Sequence, residues 1–357
     1  MLAQPTSQML DHLQRSIEEL LIEHSVGEHL PGQWDGAIAS TRGNNTPDLF
    51  AMVDSVFILH IIDRLESLTT CISREKWAAR ILSLQGVDGW FDGHYFDGHS
   101  REHATAYAIA ALSLLSIEST EDYINRLKPI PELLPLLEDR AAFTRWIERL
   151  GFAWGIEDIL NKNMGWHIVW RGSHAGGGVA AIIHMAGHLF ESWFTKQVDV
   201  SAWFERYFDW LNAHVNPMTG YWQRAFWNRV IRKPTIIDLG GAVHFHWIYQ
   251  ARRQPFPYPA QVVESTLSLQ KHTGLYDRHP PYCIDFDGNY CLISCYLALS
   301  DQEQRHHQAA VYQSAERNFE AIIATLESTP LSEVYDDLHG LPGALAALVE
   351  CSKLPGF

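Results

Sequence analysis

Two aspartates separated by one residue stand at the start of a long apolar stretch, 282-YCIDFDGNYCLISCYLAL-299. Two carboxylates this close repel each other, so the pKa of one should rise, and apolar or aromatic neighbours should raise it further. A carboxylic acid that stays protonated near neutral pH is suited to general acid catalysis. The spacing therefore predicts a catalytic role for Asp287, with Asp285 as its partner. The alternative is that both are N-cap and first-turn acids that stabilise the helix dipole.

Other polar residues open similar apolar stretches along the chain. His103 and His174 hold equivalent places in two of these stretches, and we expect His103 to take part in catalysis. Arg101 is a cation at an expected helix start, where the helix dipole disfavours it. Its compensating partner is either an acid such as Glu102 or an anionic group of the substrate. The residues expected to contact substrate are Arg101, Tyr107, His174, Asp238, His244, Trp247, Tyr290, Asp337 and His339.

Two pairs of histidines lie four residues apart, His99 with His103 and His184 with His188. On a helix this spacing places both rings on one face, as a metal site requires. The first pair, however, spans an expected junction between loop and helix, and the second lies in the middle of an apolar stretch. A hydrogen-bonded histidine is the simpler interpretation, so we expect no metal and no cofactor.

A glycine beside an aromatic residue recurs along the chain at intervals of about 55 to 60 residues, with one longer interval of about 76, as in repeat proteins. The instances are 32-GQWDG-36, 88-DGWFDG-93, 165-GW-166, 220-GYW-222, 274-GLYD-277 and, more weakly, 333-EVYDDLHG-340. The longer interval contains 128-KPIPELLP-135, so we expect an inserted loop near 117–145.

Each instance is followed by a short irregular segment and then by a stretch rich in small apolar residues. Such stretches are typical of buried helices, whereas preceding segments such as 202-AWFERYFDWLNAH-214 have the spacing of amphipathic helices. Six helix pairs predict an all-α (α/α)6 toroid, a double ring of about twelve helices, as one domain over residues 1–357. An open α-solenoid is the alternative, but its repeats should contain two amphipathic helices. In a toroid the starts of the inner helices share one mouth, where the polar residues would converge.

Three consecutive glycines, Gly176 to Gly178, lie within one of the apolar stretches. No strand pattern precedes them and no Lys-Ser/Thr follows, so a phosphate-binding loop is disfavoured. We expect these glycines to let neighbouring helices pack closely, or to open room in a cavity.

Composition excludes several classes of function. The chain has 42 acidic against 27 basic residues, a formal charge of −15, which disfavours a nucleic-acid partner. No apolar run reaches the roughly 18 residues of a membrane span, and no signal-peptide pattern opens the chain. Five cysteines form neither a disulfide framework nor a CxxC pair. We expect a cytoplasmic protein with a small-molecule substrate and no integral membrane segment, and a homo-oligomer is left open.

Several of these segments resemble a known superfamily. The runs 81-ILSLQGVDGWF-91 and 267-LSLQKHTGLY-276 resemble the QW motif of terpenoid cyclases, in which a helix ends in Gln and is followed by Gly and an aromatic residue. The runs 102-EHATAYAIAALSLL-115 and 174-HAGGGVAAI-182 resemble the starts of inner helices in protein prenyltransferase β subunits. Together they resemble the terpenoid cyclase/protein prenyltransferase toroid superfamily over roughly residues 30 to 350.

The segment 285-DFDGNYCLISCYLAL-299 resembles the Asp-x-Asp-Asp helix start of class II terpene cyclases. The resemblance implies that Asp287 protonates an alkene or epoxide and so starts carbocation cyclisation. Gly288 stands where that family has its last Asp, a member of the network that holds the acid. The zinc site of the prenyltransferases is not matched, because 235-TIIDLGGAVHFHW-247 supplies Asp238 but no following Cys.

The sequence leaves three functional hypotheses. A terpenoid cyclase-like enzyme, a cyclase or isomerase, predicts a deep and mostly apolar cavity around Asp287. A carbohydrate-active lyase, hydrolase or epimerase with His, Tyr and Asp acid–base catalysis is suggested by the functions of other (α/α)6 toroids, and it predicts an open polar groove with stacked Trp. A non-catalytic binding toroid predicts no carboxylate with a shifted pKa. The apolar stretches and the Asp-x-Asp pattern favour the first.

Overall fold

The structure is a computed structural model that describes residues 7–27, 34–91, 99–117, 119–150, 167–222, 233–328 and 330–357. Over these residues it contains helices and isolated β-bridges but no β-strand, which confirms the predicted all-α class. No described helix is both long enough and apolar enough to cross a membrane.

The α-helices are described in chain order. They are α1 (Ser7–Glu23), α2 (Leu49–Ile61), α3 (Leu65–Leu68), α4 (Cys71–Ser83), α5 (Arg101–Ser116), α6 (Leu133–Glu138), α7 (Arg140–Arg149), α8 (His167–Ala186), α9 (Phe190–Phe194), α10 (Val200–His214), α11 (Ile236–Ala251), α12 (Pro259–Leu269), α13 (Cys283–Leu297), α14 (Asp301–Ser328), α15 (Leu331–Val334) and α16 (Leu341–Cys351). Short 3-10 turns at Tyr123–Arg126, Gly187–Leu189 and Leu338–Gly340 connect some of them.

Six of the described helices pack against one another in a closed cycle. In chain order they are α2, α5, α8, α11, α13 and α16; each packs against the next, and α16 packs back against α2. These helices contain the six small-residue apolar stretches, and most of their described residues are buried, as the sequence predicts. The central part of the core therefore consists of helices that are mostly buried.

Amphipathic helices cover the cycle from outside. In α10, Trp203, Tyr207 and Leu211 are buried, whereas Glu205 and Asp209 are exposed, which is the spacing of a one-sided apolar stripe. The Tyr207 hydroxyl donates to a backbone carbonyl oxygen of α8 at 3.2 Å. Helices α4, α12 and α14 likewise pack against members of the cycle.

The two QW-like segments adopt the same turn. The side-chain amide of Gln85 donates to the carbonyl oxygen of Gly89 (2.7 Å), and that of Gln270 donates to the carbonyl oxygen of Gly274 (2.9 Å). Each amide also donates to a second carbonyl oxygen further along the chain, at 3.2 and 2.8 Å. Gly89 and Gly274 have φ of +85° and +90°, a left-handed conformation that glycine adopts without strain. The repeat predicted from sequence thus has a structural counterpart here, whereas the turn at 165-GW-166 lies outside the described residues.

The segment 117–145 differs from the expected loop. It contains the 3-10 turn at Tyr123–Arg126, helix α6 and the start of α7. Its apolar residues Ile130 and Leu133 are fully buried in the core, and burying them gains the free energy that orders the segment. The insertion expected from the repeat spacing therefore contains helical elements, and its being an insertion stays a prediction.

The glycines of α8 allow its close approach to both neighbours in the cycle. A Cβ atom at Gly178 would lie 2.6 Å from the carbonyl carbon of Glu102 in α5. A Cβ atom at Gly177 would lie 2.8 Å from the carbonyl oxygen of His244 in α11. Both distances are too short for non-bonded atoms, so only glycine fits, and the predicted packing role is confirmed.

Replacing Gly178 by alanine should destabilise the protein, because the new methyl group meets backbone atoms that cannot rotate away. Overpacking of this kind lowers the free energy of unfolding by about 1–3 kcal/mol, which urea denaturation measures. Gly187→Ala is the matched control, since its Cβ atom would make only an ordinary contact with Val200 at 3.5 Å. Equal effects of the two substitutions would contradict the close approach of α8 to α5.

Candidate functional site

A cavity of about 320 Å³ lies among the six helices of the cycle, and its lining includes residues from every one of them. Nine of the sixteen lining residues are apolar or aromatic, and seven are polar, five of them histidines. The apolar and aromatic lining residues are Phe57, Ile61, Tyr107, Ala110, Trp247, Phe286, Pro342, Gly343 and Ala346. The polar ones are His99, His103, His174, His244, Cys283, Asp287 and His339.

Asp287 lies in the wall of this cavity with only 3% of its surface exposed. Burial, and after it the neighbouring Asp285 carboxylate, raises the pKa of Asp287 well above that of an ordinary aspartate. The adjacent Phe286 ring packs against Trp247 with ring centroids 5.8 Å apart, so the surroundings are aromatic. A carboxyl group in such a place keeps its proton at a pH where ordinary aspartates have lost theirs.

Asp285 is fully buried, but its carboxylate is occupied by hydrogen bonds. One carboxylate oxygen accepts from the backbone N–H of Tyr276 (3.0 Å) and the side-chain amide of Asn318 (2.9 Å), and the other accepts from the backbone N–H of Tyr282 (3.2 Å). Burial raises the pKa of Asp285, and these hydrogen bonds oppose that rise. Asp285 thus connects the start of α13 to the preceding Gly-aromatic turn. This is the helix-capping role that the sequence analysis gave as the alternative to catalysis.

The glycine that replaces the last aspartate of the family pattern has a packing explanation. A Cβ atom at Gly288 would lie 2.4 Å from the Tyr276 ring, which is itself fully buried. Because the Tyr276 ring already fills the adjacent space, no side chain fits at position 288. Tyr276, the aromatic residue of the repeat turn, therefore explains why position 288 is a glycine and not an aspartate.

Five histidines form a cluster in the cavity wall: His99, His103, His174, His244 and His339. The ring centroids of His103 and His174 lie 4.4 Å apart, and so do those of His174 and His244. Burial lowers the pKa of His99 and of His244 to about 3, and that of His103 well below its ordinary value. These three imidazoles are therefore neutral near pH 7.

A buried carboxylate connects two residues of the wall. Asp54 accepts from the Tyr107 hydroxyl at 3.0 Å and from Nδ1 of His339 at 2.9 Å. Burial lowers the pKa of His339, but the charge and hydrogen bond of Asp54 outweigh burial, so the pKa is raised. Burial, and then Asp54, raises the pKa of Tyr107 well above that of a free phenol. Tyr107 is thus a hydrogen-bond donor here rather than a base.

The structure brings most of the predicted site residues together. Those that line the cavity are Asp287, His103, Tyr107, His174, His244, Trp247 and His339. They come from different helices of the cycle, so their convergence depends on the tertiary packing and not on sequence spacing alone.

Two of the predicted residues have other partners. Arg101 is exposed, forms ion pairs with Glu132 and Glu102, and stacks over the Trp90 ring at 4.7 Å. Asp238 accepts from the Thr235 backbone N–H and hydroxyl, both at 2.8 Å, in a capping box at the start of α11. The charge of Arg101 is thus compensated by acids of the chain, and the carboxylate of Asp238 stabilises a helix end.

The remaining two lie beside the cavity. The Tyr290 hydroxyl donates to the Gln250 side chain, and its ring packs edge-on against Trp247. Asp337 accepts from the backbone N–H of His339 at 2.9 Å and so shapes the turn that carries this histidine. Their structural contribution is to orient Trp247 and His339.

Sequence reasoning did not name Asp54 or Cys283 as site residues, and it considered His99 only as half of a spaced pair. A signal for Asp54 was present, because it is the one acid within the otherwise apolar α2, and a buried carboxylate needs partners. Cys283 opens α13 four residues before Asp287, which places both on one helix face. Burial, and then Asp287, raises the pKa of this thiol well above its ordinary value.

Comparison of the chain with protein-family models, with curated proteins and with solved structures gives no match. The resemblance of its motifs to terpenoid cyclases and prenyltransferases therefore stays a prediction. The chemistry of the site has to be argued from its own residues.

Asp287→Asn should stabilise the folded protein relative to the native protein, and by more at high pH than at low pH. The folded-state pKa of Asp287 is raised above the unfolded value near 4. The native protein therefore loses stability from about pH 4 upward, until the folded-state pKa is passed, at up to about 1.4 kcal/mol per pH unit. Asparagine removes this loss, so the variant should gain more over the native protein at pH 8 than at pH 5 in urea denaturation. Asp209→Asn, on the exposed face of α10, is the control and should show no such trend.

Asp285→Asn, in contrast, should destabilise the folded protein. Three N–H groups now donate to the two carboxylate oxygens of Asp285. Asparagine has only one side-chain oxygen, so at least one of these N–H groups would face an NH₂ group instead of an acceptor. Loss of a buried hydrogen bond to a charged acceptor lowers the free energy of unfolding by about 1.5–3 kcal/mol. A thermal melt compares the two aspartate variants, and a stable Asp285→Asn protein would argue against the capping role.

Proposed function

We propose that the protein is a terpenoid cyclase-like enzyme that acts on a small, unsaturated substrate of the isoprenoid type. Asp287 is the general acid: its proton passes to an alkene or epoxide, and the carbocation so formed cyclises or isomerises. The observation that carries the proposal is the buried Asp287 carboxyl, with its raised pKa, in the wall of an apolar cavity. An acid of this kind contributes only when it is protonated at the working pH.

The aromatic rings of the wall support a cationic intermediate. Trp247 and Phe286 adjoin Asp287, and Phe57 packs against Tyr107 with ring centroids 4.7 Å apart. The π faces of such rings attract a cation, and the attraction is stronger away from water. The neutral imidazole of His244, in the same wall, is suited to accept the proton that the final carbocation loses.

The size and lining of the cavity support an apolar class of substrate. About 320 Å³ is at the lower end of the range of about 300–1,000 Å³ found for small-molecule pockets. A sugar-binding groove needs many polar groups and an accessible indole face, whereas Trp247 packs against Phe286, His244 and Tyr290. We therefore favour a compact apolar substrate over a carbohydrate.

We also propose that the six packed helices are the inner ring of an (α/α)6 toroid. Support comes from the closure of their contacts into a cycle and from the amphipathic helices that pack outside it. The four cysteines whose pairing is described, Cys283, Cys291, Cys295 and Cys351, are free thiols. Free thiols support our proposal of a reducing compartment such as the cytoplasm.

The test is to incubate the purified protein in D₂O with short acyclic isoprenoid alcohols, acetates and epoxides. Gas chromatography with mass spectrometry identifies the products. We expect a cyclised or isomerised product, which carries one carbon-bound deuteron from the solvent when the group protonated is an alkene; protonation of an epoxide gives an exchangeable O–D group instead. Asp287→Asn should lower the rate by at least about 100-fold, the smaller end of the effect of a general acid, and Asp209→Asn should leave it unchanged.

A retention experiment controls for damage to the cavity. The native protein and Asp287→Asn are passed through a desalting column after incubation, and bound compounds are identified by mass spectrometry. Both should retain the isoprenoid, because the substitution preserves the volume of the side chain. Undiminished turnover by Asp287→Asn, or retention of sugars and of no isoprenoid, would overturn the proposal and direct attention to His103 and His174.

A further inference from the structure

Three histidines of the cavity wall are close enough to share one ion. One ring nitrogen from each of His99, His103 and His174 can be chosen so that the three atoms lie within 4.8 Å of one another. The ring centroids are 5.1 Å apart for His99 and His103, 5.1 Å for His99 and His174, and 4.4 Å for His103 and His174. No other group of three or more His, Cys, Asp or Glu side chains in the described part of the chain has this arrangement.

The backbone holds these histidines in place. Ser100 caps α5 by accepting from the His103 backbone N–H at 3.2 Å, so the chain turns between His99 and His103 and brings both rings to one side. His174 is buried on α8, whose Gly178 packs directly against the first turn of α5. The three rings therefore meet because of a helix cap and a glycine contact, both of which are rigid features.

We propose that His99, His103 and His174 bind a divalent transition-metal ion of the zinc type, with a fourth coordination position open to the cavity. Neutral imidazole is a preferred ligand of zinc, copper, nickel and iron. Burial favours the neutral form of His99 and His103, which is the form that binds a metal.

The distances allow tetrahedral coordination after a small adjustment. A zinc–nitrogen bond of about 2.0–2.1 Å separates the ligand atoms of a tetrahedral site by about 3.3 Å. The nitrogens must therefore approach by at most about 1.5 Å from their present 4.8 Å limit.

The number of ligands indicates a reactive site. Structural zinc sites use four protein ligands, whereas catalytic sites use three and leave one position for water or substrate. His244 lies next to the set, with its ring 4.4 Å from that of His174, but its nitrogens are outside the group of three. The open position suits an oxygen atom, either of water or at one end of a substrate.

This site differs from the zinc set that the prenyltransferase resemblance would supply. There the ligands are Asp, Cys and His, and the matching Asp238 is used here to cap α11. The three histidines also differ from the pair His184 and His188, whose side chains are exposed. The inference thus comes from the packing of α5 against α8.

The experiment measures metal uptake directly. The protein is stripped with a chelator, dialysed against Zn²⁺ or Co²⁺ and analysed by plasma mass spectrometry, and the bound Co²⁺ is examined by its visible absorption. We expect one ion per chain and the intense visible bands of four-coordinate Co²⁺. His174→Gln should weaken binding by more than about 100-fold, beyond the effect of losing an outer-shell partner. No uptake, or uptake that His174→Gln leaves unchanged, would overturn the proposal.

Two controls separate this site from adventitious binding. The double variant His184→Gln/His188→Gln removes the exposed pair with the same four-residue spacing, and it should bind as the native protein does. If His174→Gln fails to fold, X-ray absorption of zinc in the native protein decides the question. Several imidazole ligands without sulfur are expected, and a sulfur ligand such as Cys283 would contradict the set. Uptake is measured without substrate, so this proposal and the proposed function fail independently.

Discussion

The close contact of α8 with both α5 and α11 is the constraint on which the site depends. Gly178 touches the backbone at Glu102 and His103, and Gly177 touches His244. The glycines that permit this approach therefore adjoin two of the histidines that line the cavity. A side chain at either position would separate the helices and enlarge the distances between the rings. The three glycines were visible in the sequence as a possible loop or packing feature, and their contacts decide for packing.

The two aspartates of α13 acquire different roles because of helix geometry. Residues two apart on a helix point about 200° apart, toward opposite sides. Asp285 thus faces the Gly-aromatic turn, where three N–H donors satisfy it, and Asp287 faces the cavity. Gly288 lies on the side of Asp285 and Cys283 on that of Asp287, which agrees with the contacts of each. The carboxylate repulsion inferred from the sequence contributes to the raised pKa of Asp287, but burial contributes more.

The features that could be predicted from the sequence are local or periodic. Buried and amphipathic helices follow from residues within a few turns, and the repeat follows from the recurring Gly-aromatic turn. Asp54 contacts His339, 285 positions away, and Arg101 contacts Glu132, 31 positions away. No local sequence pattern predicts either contact. His99 lies just before a helix, so helical spacing said little about the direction of its ring. Its closeness to His174 depends on how α5 and α8 pack.

Burial shifts the pKa of most of the titratable cavity groups described above toward the uncharged form. It raises the pKa of Asp287 and lowers the pKa of His99, His103 and His244, so the uncharged form of each group is favoured. His339 is the exception, since Asp54 contacts it directly and raises its pKa. A dication among the neutral histidines would favour ionisation of Asp287 in the same cavity wall. The proposed general acid requires a protonated Asp287, whereas the proposed metal ion would favour its ionised form, so the distance between the two sites would govern whether both can operate in one catalytic state.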